Sequence, residues 1–238
     1  MRDRARAVVI GGGVGGASVL YWLTRLGWED VLLVERADLT SGSTFHSAGL
    51  VGQLRGSLSL TRMMMASVDL YRSLGEEVGL ETGWREVGSL RLASSEERME
   101  ELHRQAGWAK TFGLPLDLVS AEEAQGLFPP MSIDGVLGAA YLPTDGYIDP
   151  SQLTTALAEG ARRRGAEIAT QTRVTGLGVE GGRIAGVETD KGSIETEVVV
   201  NAGGMFAAEL GRLAGVNVPV IPMAHEYLIT RPPDSPRK

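Results

Sequence analysis

At 238 residues, with 43% hydrophobic and 22% charged residues, the chain is long enough to bury a sizeable core and has the balance of an ordinary globular protein. Its formal net charge of −7 argues against nucleic acid as a partner, because binding phosphates needs a basic surface. The lack of cysteine excludes disulfides and thiolate chemistry, and three scattered histidines, His46, His103 and His225, make no metal constellation.

In chain order, Met1 to Arg6 carries no apolar signal core, and no later stretch reaches the length of a membrane span; the expectation is a cytoplasmic protein with no membrane partner. Val8-Val9-Ile10 reads as a strand that stops at Gly11-Gly12-Gly13-Val14-Gly15-Gly16, a G-x-G-x-x-G turn. Ala17 to Leu23 continues as an apolar helix with Gly27 where a stop belongs, and Val31 to Val34 is a second strand ending at Glu35. Gly11 permits the turn, Gly13 and Val14 bring backbone N–H groups toward a pyrophosphate, and Gly16 lets the helix lie close to the strand. Glu35, nineteen residues after Gly16, falls where a carboxylate accepts hydrogen bonds from the adenosine ribose. An acid there disfavours NADP, although Arg36 follows it immediately and keeps that exclusion from being absolute.

Ser41 to Gly49 is small, polar and glycine-punctuated, with His46 its single large polar group. Here the chain resembles the sarcosine and dimethylglycine dehydrogenase family of the D-amino acid oxidase-like superfamily, in which a G-S-T-x-H-x-A-G stretch carries a histidine bonded covalently to FAD. The resemblance implies an FAD site that includes Ser43, Thr44, Ala48 and Gly49, with His46 at the position of the covalent histidine.

Beyond Gly49, Leu60, Met63, Met64, Val68, Tyr71 and Leu74 give one helix face with Gly75 near its end, and the Met63-Met64-Met65 run reads as core filler. A strand ends at Ala93. Ser94 with Glu97 then forms a capping box ahead of the stripe Met99, Leu102, Ala106 and Ala109, with His103 exposed beside it. Ser120 and Glu123 repeat the box on a short helix closed by Pro129-Pro130. Gly135 to Leu142 is a strand, Asp145-Gly146 a turn, and Asp149 an N-cap with Pro150 at the first helical position; Leu153, Ala156, Leu157 and Ala161 form that helix's buried face. Four short strands follow, at Glu167–Ala169, Val174–Val179, Ile184–Glu188 and Ile194–Glu197, and read as a meander. Val198-Val199-Val200 is a fully buried parallel strand ending in Asn201-Ala202-Gly203-Gly204. The resemblance implies that Val174 meets adenine through its backbone and that Ala202 and Gly203 touch the cofactor. A final strand carries His225, Tyr227 and Ile229 on one face; the family's H-x-Y element is matched by His225 and Tyr227, which the resemblance puts beside the substrate.

The expected fold class is therefore α/β: a Rossmann-like FAD-binding domain with a parallel sheet and a β-meander, plus an inserted, incomplete α+β substrate domain. Residues 1–80 and 148–217 are read as the two parts of the FAD domain, 81–147 as substrate domain, and 218–238 as the start of a second substrate segment. The expected function is oxidative N-demethylation of a small N-methyl amino acid, sarcosine or dimethylglycine, the histidine keeping the amine deprotonated. The alternatives are an oxidase or deaminase of another amino acid, and a non-catalytic flavoprotein-like regulatory subunit. Family members continue past about Thr230 with more substrate-domain sheet and often a folate-binding region. The expectation is thus a truncated or split product that binds flavin weakly until a partner chain completes the site, with tetrahydrofolate relevant only where that region is supplied. Arg231 to Lys238 reads as a polar, proline-broken tail.

Overall fold

The computed structural model describes residues 2–229 and Arg231, so Thr230 and 232–238 of the expected final strand and tail lie outside the described residues. β1 (Ala7–Ile10), α1 (Val14–Arg25) and β2 (Val31–Val34) form the unit that the glycine turn predicts, with β1 and β2 parallel and buried along their whole length. Gly11 leaves β1 at φ +119, and a Cβ there would lie 2.3 Å from the Ala202 carbonyl oxygen, so this corner admits glycine alone.

β3 (Leu50–Val51) leads to α2 (Leu58–Val78), capped by Ser57, whose hydroxyl accepts from the Leu60 N–H. α2 runs through Gly75, the expected stop, and ends at Gly79, which takes the left-handed backbone (φ +64) that closes a helix. Leu60 and Met63, expected on the buried face, are exposed. Thr61 turns inward instead, because its hydroxyl accepts from the Arg55 N–H and donates to the Ser57 carbonyl. Met64 and Met65 pack against two different cores, as filler should.

β4 (Arg85–Glu86), β5 (Ser89–Ala93) and α3 (Glu96–Lys110) follow. The cap of α3 is Ser95, not Ser94: the extended backbone at Ser95 places its hydroxyl against the Arg98 N–H, and the expected Ser94–Glu97 box is not formed. His103 is exposed, as expected. After β6 (Asp117–Val119), α4 (Ala121–Leu127) has the reciprocal box of Ser120 and Glu123. β7 (Gly138–Leu142) starts three residues later than expected and leads to β8 (Gly146–Tyr147). Asp145 is more than the turn residue its neighbour Gly146 suggested. Its carboxylate is wholly buried and accepts from the Gln53 N–H at 2.8 Å and the Ser89 hydroxyl at 2.7 Å.

Asp149 caps α5 (Pro150–Arg163), accepting from the N–H groups of Ser151 and Gln152. β9 (Glu167–Ala169), expected in the meander, instead pairs in parallel with β2: arriving from a helix that packs on α1, it completes a crossover connection. The meander is β10 (Val174–Glu180), β11 (Arg183–Thr189) and β12 (Gly192–Glu195). β13 (Val198–Asn201) pairs in parallel with β1, giving the order β13-β1-β2-β9; as the edge strand it is half-buried rather than fully buried. A single 3-10 turn at Gly204–Phe206 precedes α6 (Ala207–Leu213). Among the described residues, 216–229 form neither helix nor strand. The strand expected around His225 and Tyr227 finds no neighbour to supply a ladder, and both side chains are exposed.

Alternation along the central strands sorts the core into layers. Ala7, Val9, Val31 and Leu33 face α1, α2 and α5, while Val8, Ile10, Leu32 and Val34 face the meander through Val187 and Ile194. A third cluster lies between α3 and the sheet β5-β7-β6, and the small sheet β3-β8-β4 joins the two regions. On the helical side, Tyr21 donates to Glu77 at 2.8 Å, and Arg25 and Arg164 pair with the same carboxylate, tying α1, α2 and the end of α5 together.

Candidate dinucleotide site

Where β1 and β2 end, the chain leaves a cavity of about 470 Å³, within the range of small-molecule sites. Its wall is assembled from distant stretches: Gly11 and Gly13 of the turn, Glu35 and Arg36 after β2, Ser43 and Thr44, Val174 opening the meander, and Ala202 and Gly203 after β13. These are nine of the sequence-predicted cofactor residues, brought together by a parallel sheet whose strands all end at this edge.

The turn is braced from within. The two oxygens of Glu35 accept from Gly12 N–H at 2.6 Å and Ala37 N–H at 2.9 Å, so one carboxylate locks the glycine turn to the segment after β2. Thr44 is buried, and its Oγ1 accepts from Val14 N–H at 3.0 Å. Gly13 has no side chain with which to cap α1, so Thr44 from the loop after β2 takes the Val14 N–H and leaves the amides of Gly15 and Gly16 without a side-chain acceptor among the described residues. A Cβ on Gly16 would stand 1.8 Å from the Gly11 carbonyl oxygen, confirming its close-packing role, although Gly16 itself does not line the cavity. Around Ser41–Thr44 the chain makes successive tight turns, Phe45 N–H donating to Thr40 and His46 N–H to Ser43.

The other predicted residues lie apart. Val14, Ala48, Gly49, His46, His225 and Tyr227 do not line this cavity. Gly49 is a buried corner whose added Cβ would lie 2.1 Å from the Ile148 carbonyl oxygen. His46 is exposed, and its Nδ1 lies 3.1 Å from the Tyr227 hydroxyl, so the structure joins Tyr227 rather than His225 to the imidazole. Sequence reasoning missed Phe206, which lines the cavity with the Arg36 guanidinium 3.9 Å above its ring. The only available signal was an aromatic residue just after the glycine pair Gly203-Gly204.

The residues present fit an adenine dinucleotide: exposed backbone donors at a helix start, a carboxylate at the ribose position and a cavity flanked by Arg36, Phe206 and Val174. Among the described residues no helix is long and apolar enough to cross a membrane.

Comparison with known proteins agrees. Sarcosine dehydrogenase, mitochondrial, of Homo sapiens is 43% identical over 239 residues, covering 95% of this chain and 25% of the relative. Dimethylglycine dehydrogenase, mitochondrial, of Homo sapiens is 40% identical over 232 residues, covering 96% and 26%. The chain thus spans about a quarter of the length of these curated relatives. The solved L-proline dehydrogenase from P. horikoshii superposes with a TM-score of 0.86 at 34% identity, covering 91% of this chain and 57% of that one. The family model of the DAO, FAD dependent oxidoreductase, family matches residues 6–238, and the chain belongs to that family.

Proposed function

We propose that the protein oxidises the N-methyl group of a small N-methylated amino acid, sarcosine or dimethylglycine, with FAD as cofactor. The observation that carries this reading is the convergence of Gly11, Gly13, Glu35, Arg36, Ser43, Thr44, Val174, Ala202 and Gly203 on one cavity, in a chain similar over 95% of its length to a sarcosine dehydrogenase. Gly11, Gly13, Val14 and Gly16 form the pyrophosphate turn, Glu35 takes the ribose hydroxyls, and Arg36 and Val174 flank adenine. Thr44 holds Val14 in place, while Ser43, Ala48, Gly49, Ala202 and Gly203 supply small groups that let the cofactor approach the backbone. Residues 1–80 and 148–217 make up the FAD part, and 81–147 with 218–238 the substrate part.

FAD held at this site would supply the two-electron acceptor for oxidation of the N-methyl carbon, and hydrolysis of the substrate iminium would give formaldehyde and the demethylated amine. The chain's own groups prepare the amine. His225, aided by Tyr227, would take the ammonium proton once the substrate part is assembled around the amine, freeing the nitrogen lone pair that drives hydride departure. His46 would be the residue that holds the flavin ring, and the Tyr227 hydroxyl, 3.1 Å from its Nδ1, orients the imidazole. Resemblance to an L-proline dehydrogenase favours a second reading, oxidation of another secondary amino acid without loss of a methyl group.

The test is anaerobic titration of purified, FAD-loaded protein with sarcosine, dimethylglycine and proline, following flavin bleaching and formaldehyde. Bleaching with stoichiometric formaldehyde is expected for the N-methyl substrates. Bleaching by proline alone would replace this reading with the second. FAD that survives denaturation on a wild-type peptide, but not on His46→Ala, would establish the tether.

A further inference from the structure

Among the described residues, three that are not glycine take the left-handed backbone: Asp30 (φ +63), Thr40 (φ +70) and Gln171 (φ +52). A short polar aspartate visits that region readily, whereas a β-branched threonine is crowded there by its own backbone. Thr40 is thus the most strained of the three, and such a conformation persists only where the surroundings impose it.

The surroundings are identifiable. The Thr40 N–H donates to the Gly12 carbonyl at 3.0 Å, tying the residue to the glycine turn, and its own carbonyl accepts from the Phe45 N–H at 3.2 Å, closing the loop that follows. Its hydroxyl accepts a long, 3.4 Å bond from Ser151 in the first turn of α5. Just before it, Leu39 is pressed against the same turn, its Cδ2 2.8 Å from where a Cβ on Gly12 would stand. Just after it, Ser41 and Gly42 join Ser43 and Thr44 in the cavity wall, and Thr44 takes the Val14 N–H. Thr40 itself does not line the cavity. It is the corner between two stretches that both touch the glycine turn, and a right-handed or extended residue there would carry Thr44 off its path. Glycine would turn the same corner without strain but would leave many other conformations open. A corner that has to hold one shape ahead of a ligand is better served by a residue whose neighbours fix it.

We infer that Thr40 is a positioning residue for the flavin cofactor: its strained backbone sets residues 41–44 in their cavity-facing arrangement before FAD binds, and weakens the flavin-free fold by doing so. The inference rests on the FAD site proposed above and on no choice of substrate. Thr40 acts through the loop it precedes and touches no cofactor.

The experiment compares flavin-free wild type, Thr40→Gly and Thr40→Asn by urea unfolding, by fluorescence titration with FAD, and by chymotrypsin cleavage after the exposed Phe45, read by mass spectrometry. Thr40→Gly, which removes the strain, is expected to leave the urea midpoint unchanged or higher. It is expected to raise the FAD Kd about tenfold, the scale of leaving one residue's backbone to be ordered on binding, and to speed cleavage after Phe45. Thr40→Asn keeps the left-handed backbone without the β-branch, and is expected to restore wild-type FAD affinity and wild-type cleavage. Unchanged FAD affinity in Thr40→Gly would overturn the inference. A Kd that rises only in step with a falling urea midpoint would overturn it too, by marking a merely structural turn, as would an equal loss of affinity in Thr40→Asn. Wild-type protein that takes up no FAD would overturn the proposed cofactor site and this inference with it.

Discussion

Each oxygen of Glu35 already holds a backbone amide, which gives the residue a bracing role beside the ribose binding proposed for it. Glu35→Gln turns one acceptor into a donor aimed at an N–H, so the flavin-free protein is expected to lose about 1–3 kcal/mol in urea unfolding. A residue that only bound ribose would change FAD affinity and leave that unfolding curve alone. Gly16→Ala forces a methyl into the Gly11 carbonyl; a loss of about 1–3 kcal/mol together with FAD binding is expected, measured by unfolding and by flavin fluorescence titration. Gly16 was legible because its spacing is fixed by strand, turn and helix; the bracing bonds of Glu35 were not, since the sequence marks only an acid at the end of β2. Asp145 was not legible. The Asp145 carboxylate meets a backbone amide 92 residues away, and no local signal distinguishes a turn aspartate from a buried one.

Helix ends show the same divide between elements. Asp149 reads correctly because Pro150 marks the first helical position, and Asp149→Ala is expected to cost about 1 kcal/mol in thermal or urea unfolding. The serine pair before α3 is ambiguous by one residue, and only backbone geometry resolves it. Ser95→Ala is expected to destabilise by about 1 kcal/mol, with Ser94→Ala near neutral. β9 was misassigned because three residues carry no partner information; the preceding helix was the better guide. Among α1, α2 and α5, burial pushes the Glu77 carboxyl up, but hydrogen bonds from Arg164 and Tyr21 and the charges of Arg164 and Arg25 outweigh it and hold it below its ordinary value. A lowered carboxylate stabilises the fold above the unfolded-state range, about pH 4.3, and that contribution fades as pH falls through the folded value. The side chains are partly open to solvent, so the effect is roughly a few tenths of a kcal/mol. Urea midpoints between neutral pH and pH 3 are expected to fall less in Glu77→Gln than in wild type.

At the scale of the whole molecule, the layered α/β architecture followed from strand, helix and acid in the first 35 residues, with the meander and the late valine strand completing it. The segment 216–229 did not follow. Ile221, Met223, Leu228 and Ile229 are each more than 80% exposed, and alternation alone makes no strand without a neighbour. Because the cavity is lined by both early and late stretches, FAD at about a hundred times its Kd is expected to add about 2.7 kcal/mol to stability, seen as a rise in Tm with added FAD.

The central sheet places β1 between β2, which follows it closely, and β13, which arrives almost two hundred residues later. A growing polypeptide therefore has no seat for a nucleotide until its late valines dock beside its opening ones. Whatever fills that seat acts as a clasp between head and far end, and limited proteolysis with and without the nucleotide would reveal the clasp as protection of distant cleavage points gained in one step.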